Sequence, residues 1–526
     1  MRPETPIRRD RPIHGASKDW RFFKTAAGPD ETEYPEEAQG VNVYYARELR
    51  NVSYPKEVGA QTLTYEETER FNYVCNLEPE KYIEEGSVVL GFLENGRWWT
   101  IDKVIGGFHL FDRVTWSPES GLRVTKVLLP SAAPNGGWPS SKGSLEITAH
   151  ALARSDEHMF GVYARWDYGL DPIEPLGHIG LGVGLVKMTP ELSEVWSVTF
   201  DDALPKPDPI TTRRLIPRSV AATPDGVTCT VIEVDFGLGG LGIPTAVNLW
   251  VVCDADGVVL GHGKLDFVGG ANGTAATGFG PRVVCDGEKF YVLDGLSRSG
   301  SGPGGFFSIW EQAYAEISAD GVLVDRGYIF RETEPVWFPS PVIAIEAAYS
   351  PATGDIHYRA STSNGAIQPS VMRVTPGEWI QRQSPGTFFG RLESIDVGPD
   401  GTVYGVRTDG SYISGGLGPV FVPAGHSRLF ATSPDGSTTL WHSVLDPNGP
   451  TTRVGAISIT PDASKIYMLG NPEPTEGQGY AVFDATDGTR LGTHDLEYTS
   501  GSQRALALAC VVARDDVAVF GHEHAK

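Results

Sequence analysis

Cysteine is scarce: five in 526 residues, at Cys75, Cys229, Cys253, Cys285 and Cys510. Their number is odd, they lie far apart, and no C-x-x-C or zinc spacing joins them. This excludes a disulfide framework and a zinc ribbon and predicts reduced, mostly buried thiols. Positive charge is also short, with 43 Lys and Arg against 66 Asp and Glu, a net charge of −23. Such a chain is repelled by phosphate, so neither a nucleic-acid partner nor an anionic membrane surface is expected. Long apolar runs are missing. The longest, Ala505–Ala513, is far short of a bilayer span, and residues 1–24 lack the apolar core of a secretory signal. No signal peptide and no membrane insertion are therefore expected.

Glycine and proline are plentiful, 63 and 38 residues. Together they make about a fifth of the chain against roughly an eighth in ordinary proteins. No collagen period accompanies them, and strand-like runs lie between them. That composition predicts an all-β fold of many short strands and many turns.

Residues 1–40 read as an extended arm and linker. Residues 1–24 carry Arg2, Arg8, Arg9, Arg11, Lys18, Arg21 and Lys24 against Glu4, Asp10 and Asp19, and Pro3, Pro6 and Pro12 block helix. The cluster Trp20-Arg21-Phe22-Phe23 has nothing local to pack on. Two readings stand side by side: a terminus folded back on its own acidic body, or a docking arm. In the second, Trp20, Phe22 and Phe23 anchor a partner while Arg8, Arg9, Arg11 and Arg21 pair with its charges. Asp30, Glu31, Glu33, Glu36 and Glu37 read as a solvated linker.

Residues 41–105 read as a small β-barrel-like docking module. Val41–Tyr45 and Phe71–Leu77 have strand character, and Asn95-Gly96 between Gly86–Glu94 and Arg97–Ile101 is a strong hairpin signal, because both turn residues tolerate positive φ. Trp98 and Trp99 are strand neighbours, so one is expected in the core and one outside. The order of strand, Asn76-Leu77, acidic turn, Gly86-Ser87-Val88-Val89-Leu90 and Asn95-Gly96-Arg97-Trp98-Trp99 resembles a small domain of virion proteins in tailed phages and prophages. The resemblance covers about 65 residues. It implies a virion structural protein, assembled in the host cytoplasm and docked on capsid, portal or tail proteins.

Residues 107–526 repeat. Thr223-Pro224-Asp225-Gly226, Gly398-Pro399-Asp400-Gly401, Ser433-Pro434-Asp435-Gly436 and Thr460-Pro461-Asp462-Ala463 are one turn type. Asp254-Ala255-Asp256-Gly257, Ser318-Ala319-Asp320-Gly321 and Ala485-Thr486-Asp487-Gly488 are a second. Two hairpin turns per unit mean four antiparallel strands per unit, and seven units of about 60 residues predict a seven-bladed β-propeller. Gly107–Val124 resembles the second half of a unit and Ala505–Phe520 the first half. The two ends are therefore expected to share one blade and close the ring.

No catalytic constellation is identifiable. Ser433–Trp441 resembles the Asp-box turn of sialidase-type propellers, with Ser437 where that box has Gly, and the box is a structural turn. His522-Glu523-His524 lacks further ligands, Asp254 and Asp256 lack the rest of a calcium loop, and Gly300–Gly305 lacks the Lys-Ser/Thr of a phosphate loop. No metal, cofactor or catalytic residue is assigned. Trp196, Trp250, Trp310 and Trp441 read as core between blades rather than sugar platforms.

The leading expectation is a structural virion component. Its arm and module dock, and its propeller forms a decoration, fibre or host-surface-binding head. Its expected partners are virion proteins, a host surface glycan or protein, and further copies of itself. The alternatives are a propeller hydrolase or lyase acting on a glycan or lactone, and a cytoplasmic scaffold.

Overall fold

The computed structural model describes residues 20–25, 43–53, 63–76, 88–94, 97–100, 103–105, 108–129, 144–168, 178–190, 194–200, 214–238, 244–265, 277–278, 281–302, 305–334, 343–361, 370–380, 382–383, 391–415, 418–445, 454–470, 478–496, 509–514 and 517–521. Among them every regular element is a strand, and no helix is long and apolar enough to cross a membrane. The chain divides into two compact units, Met1–His109 with Thr125–Asn135, and Leu110–Val124 with Gly136–Lys526.

The first unit contains β1 (Trp20–Thr25), β2 (Val43–Ser53), β3 (Leu63–Asn76), β4 (Val88–Glu94), β5 (Arg97–Thr100) and β6 (Lys103–Ile105). Strand β1 pairs antiparallel with both β2 and β4. Strand β2 pairs with β3, β3 runs parallel to β5, and β5 pairs with β4. The pairings therefore return to β1. Phe23 is fully buried with Ala46, Val74 and Val89, and Trp98 meets it edge-on at 4.8 Å; Trp98 and Trp99 are both half-buried, so the pair does not split into one core and one outer ring. A Cβ on Gly91 would lie 2.7 Å from the Phe23 ring, so glycine is what lets that ring reach the core.

Trp20-Arg21-Phe22-Phe23, read from the sequence as a terminus folded back on the acidic body or as a docking arm, lie in β1, which is paired on both sides within the first unit. Phe22 packs beside the buried Leu49, Tyr65 and Val88. Arg21 pairs with Glu48 at 2.7 Å and Lys24 with Glu67 at 2.9 Å. The physical reason is pairing over distance. The partners of β1 lie 20 to 70 residues downstream, where no local pattern shows them. Arg8, Arg9 and Arg11 lie outside the described residues.

Strands β7 (Phe108–Ser117) and β8 (Gly121–Leu129) follow, and β8 starts in the second unit and ends in the first. The second unit then repeats four-stranded antiparallel sheets. Sheet I is β9 (Ser144–Arg154), β10 (Met159–Tyr168), β11 (His178–Met188) and β12 (Glu194–Thr199). Sheet II is β13 (Arg214–Ala222), β14 (Thr228–Leu238), β15 (Pro244–Cys253) and β16 (Val259–Lys264). Sheet III holds β17 (Thr277–Gly278) and β18 (Arg282–Cys285), both paired with β19 (Lys289–Gly302), then β20 (Gly305–Ser318) and β21 (Leu323–Glu334). Sheet IV is β22 (Ile343–Tyr349), β23 (Ile356–Ser361), β24 (Ser370–Val374) and β25 (Arg382–Gln383). Sheet V is β26 (Arg391–Val397), β27 (Val403–Gly415), β28 (Gly418–Thr432) and β29 (Thr439–Val444). Sheet VI is β30 (Val454–Ile459), β31 (Lys465–Gly470), β32 (Gln478–Asp484) and β33 (Arg490–Leu496). The chain ends on β34 (Ala509–Arg514) and β35 (Val517–Gly521).

Strand β35 pairs antiparallel with both β34 and β7, so the order β34-β35-β7-β8 unites the two ends of this unit in one closing sheet. The first strands touch in succession: β9 with β13, β13 with β18, then β22, β26, β30 and β34, and β34 touches β9 again. Sheets arranged radially around a closed circle of first strands make a β-propeller.

The turns explain why the strands end where they do. In Thr223–Val227 the Thr223 hydroxyl donates to Asp225 and accepts from the Val227 N–H, while Gly226 takes φ +94°. Ser433 and Thr460 bond Asp435 and Asp462 in the same way. Apolar side chains then stack between sheets, as with Ile232, Val234 and Val251 against Phe160 and Leu185.

Phe23→Ala is expected to cost about 3–5 kcal/mol in the first unit, the usual penalty for emptying a buried aromatic site. Hydrogen exchange of peptides from β1–β5 would register it, with sheets I–VI unchanged.

Candidate functional site

In an antiparallel four-stranded sheet the first and third connections lie on one side of the ring. The second connection and the link to the next sheet lie on the other. The first side carries the short Asp-Gly turns. The inter-sheet connections 201–213, 266–276 and 497–508 lie outside the described residues. Side chains on the described strands near that second side are the ones able to floor a binding face.

A polar layer sits there between sheets II and III. Val231 and Trp250 of sheet II face Val292 and Ala313 of sheet III in an apolar layer. One step further from the turns, Glu233 on β14 stands opposite Asn248 on β15, and Asp294 on β19 meets Asn248. All three are buried. The Asn248 amide donates to Asp294 Oδ2 at 2.5 Å, and the Gln312 amide donates to the Asp294 carbonyl at 3.0 Å. Arg218 Nε donates to Glu233 Oε2 at 2.8 Å, and Arg282 bonds the Arg218 carbonyl. Asn248 Oδ1 and Gln312 Oε1 are buried without a hydrogen-bond partner. The arrangement offers two carboxylates, two amides and two guanidiniums, groups that bind hydroxyls, amides or a charged headgroup.

A second polar cluster lies between sheets IV and V. Ala348, His357 and Arg373 stand in cross-strand register on the face toward sheet V. Asp355 receives the Thr375 hydroxyl at 2.5 Å and lies 3.4 Å from Arg373. His357 is fully buried and neither ring nitrogen has a hydrogen-bond partner. Burial pushes its pKa from 6.5 down to about 4, with Asp355 opposing and Arg373 adding to the fall.

The other candidates resolve into structure. Asp254 accepts from the N–H groups of Asp256 and Val258 and is a turn brace. Asp435, in the turn compared with an Asp box, is held at about 2 by bonds from Ser433 and Ser437. Among the described residues no three His, Cys, Asp or Glu side chains are placed to share a metal. Trp196 and Trp441 pack at sheet boundaries, each donating its indole N–H at 3.0 Å to Ala255 and Ala485 of the next sheet. Trp250 is in the core between sheets II and III, and Trp310 lies on β20 opposite Ser297. Gly300–Gly302 and Gly305 belong to the β19–β20 ladder. His522-Glu523-His524 lies outside the described residues. Cys75, Cys229 and Cys253 are buried free thiols, and burial pushes Cys253 and the half-buried Cys285 up to about 12.

Sequence reasoning missed Glu233, Asn248, Asp294 and His357. A signal was present. Each is a polar residue at an inward position of an alternating strand, as in Val231-Ile232-Glu233-Val234 and Val292-Leu293-Asp294.

No protein-family model matches the chain, and no curated protein sequence does. Among solved structures it is similar to the GH74 xyloglucanase from Xanthomonas campestris at 11% identity, covering 73% of this chain and 53% of that one, TM-score 0.39. It is similar to a putative TolB from Agrobacterium tumefaciens at 10%, covering 80% and 100%, TM-score 0.36. A Mycobacterium tuberculosis puromycin-hydrolyzing peptidase matches at 12%, covering 88% and 56%, TM-score 0.39. The chain thus spans about half the length of the xyloglucanase and of the peptidase.

Asn248→Leu removes the donor to a buried carboxylate and should lower stability by about 2 kcal/mol. Urea unfolding of the full chain followed by tryptophan fluorescence would measure it. An unchanged midpoint would show that the layer holds nothing together.

Proposed function

We propose that this protein is a non-enzymatic attachment and display protein, a structural component of a tailed phage or phage-like particle. A small closed β-barrel in the first unit docks on capsid, portal or tail proteins. A seven-bladed propeller is carried as a decoration, fibre or host-surface-binding head. The propeller's side away from the short Asp-Gly turns, floored by the polar layer of Glu233, Asn248 and Asp294, is the face offered to a host glycan or protein. Assembly takes place in the host cytoplasm, and further copies of the chain associate in the particle.

One observation carries this reading. The chain passes between the two units more than once: residues 110–124 belong to the second unit and 125–135 to the first. The closing sheet also receives the last strands of the chain, so the ring cannot peel from a free end. A head held on its mount by several covalent crossings, with a sealed ring, suits exposure outside a cell. The resemblance of residues 41–105 to phage virion domains supports the same reading.

A propeller hydrolase or lyase acting on a glycan is the second reading. Two buried carboxylates, Glu233 and Asp294, share one layer, and paired carboxylates are the tools of glycoside chemistry. A glycan-cleavage screen with the full chain separates the readings, and turnover lost in Glu233→Gln would favour the enzyme.

The docking role now rests on residues before β1, so the decisive deletion ends at Asp19. Removing 1–19, with Arg8, Arg9 and Arg11, should leave the unfolding transition unchanged and abolish incorporation into particles. Normal incorporation would remove the arm from the attachment surface.

A further inference from the structure

The boundaries between sheets are not closed alike. Sheets I–II and V–VI are clasped by an indole donating across the boundary, Trp196 to Ala255 and Trp441 to Ala485. At sheets III–IV the Trp379 ring stacks on Tyr314 at 3.7 Å. Between sheets IV and V an apolar cluster of Val371, Leu392, Ile395, Val397, Val403 and Phe430 packs, and the described polar contacts beside it include no indole clasp. Glu346 accepts the Ile395 N–H at 2.7 Å, Gly401 approaches Ser350, and Arg373 acts on Asp435 electrostatically. The outermost strand of sheet IV, β25, is two residues long.

His357 lies in the middle of this boundary. Val371, Val397, Val403 and Phe430 form an apolar cluster at the same boundary. Among the described residues, these charged groups stand on the elements around His357. On its own sheet they are Arg373 and Asp355, the latter already engaged by Arg373 and Thr375. Glu346 is engaged by Ile395. On sheet V, Asp400 is engaged by Thr402, and Asp435 by Ser433 and Ser437. Arg407 and Arg428, paired across β27 and β28, stand on the same face as Val403 and Phe430. A neutral imidazole fits this place. A charged one would carry two N–H donors with no acceptor, next to Arg373, at a fully buried position.

We propose that the boundary between sheets IV and V is an acid-sensitive latch, and that protonation of the buried His357 opens it while the indole-clasped boundaries stay shut. The direction follows from linkage. The folded-state pKa of about 4 lies below the ordinary 6.5. The latch is therefore fully closed above pH 6.5, weakens as pH falls below it, and reaches its limit as pH passes through 4. A difference of that size changes the opening equilibrium by roughly two to three orders of magnitude. A ring that loosens at one boundary in mild acid exposes new edges without dissolving, because the closing sheet still holds both chain ends.

The test is hydrogen exchange on the full chain from pH 7.5 to pH 4, corrected for intrinsic rates, comparing wild type with His357→Gln. In wild type, peptides from β22–β24 and β26–β27 should lose protection by at least 100-fold across that range while those from β9–β16 keep theirs. In the Gln variant, which cannot gain a proton, sheets IV and V should track β9–β16. If wild type and variant lose protection together, or if every sheet loosens at the same pH, the latch is overturned. Should the Gln variant not fold, the wild-type pattern decides alone: selective loss at sheets IV and V supports the latch, and uniform loss rejects it.

Discussion

In a ring of radial sheets, the first strand of every sheet has one edge with no strand beside it. Its outward N–H and C=O groups would be left without partners, and much of this structure answers that constraint. Side chains on one first strand satisfy the backbone of the next. Ser219 bonds both the N–H and the carbonyl of Val283. Glu346 takes the N–H of Ile395, Ser394 that of Ile457, and Asp396 that of Ile459. Because each bond reaches across a sheet boundary, the device that spares an edge also ties the ring. It works only if the circle is complete, which gives a physical reason for the closing sheet.

The outer parts of the sheets face a different problem, that of packing twisted surfaces without gaps. Here large side chains and glycines alternate. Gly257 takes φ +86° and lies against Trp196 and Val198, and Gly488 lies against Trp441. Gly261 and Gly321 bring two backbones together so closely that any Cβ would collide. Sheets IV and V add charges and a buried imidazole to their apolar contacts. Charge pairs are sensitive to pH and salt in a way that stacked indoles are not, so chemical variation between boundaries becomes variation in how each responds to its surroundings.

The first unit shows how charge can be placed inside a small β structure. Arg47 and Lys24 both reach Glu67, and Arg47 also covers Phe71 at 4.5 Å. Tyr45 stacks on Phe71 at 4.6 Å, so aromatic and cationic groups share one face of β2 and β3. The basic residues at 21 and 24 are spent within the unit.

The turn motifs by themselves determined the all-β character and the four-stranded repeat. Pro-Asp-Gly and Asp-x-Asp-Gly carry their own conformational instructions, through fixed φ at proline, side-chain bonds at aspartate and positive φ at glycine. The likeness of Gly107–Asp112 to Gly479–Asp484 was also open to inspection, since a strand's pattern depends on its place in a sheet. Tertiary structure alone decided the rest. Trp20–Thr25 became a central strand because β2 and β4 supply partners that no window of sequence contains. Glu233, Asn248 and Asp294 became one layer because sheet III brings Asp294 to Asn248 of sheet II, 46 residues earlier in the chain. His357 became a buried, unpartnered base because the face it occupies is covered by a sheet that starts more than 30 residues later. Local conformational energy is written residue by residue, whereas burial and electrostatic environment exist only once distant strands have met.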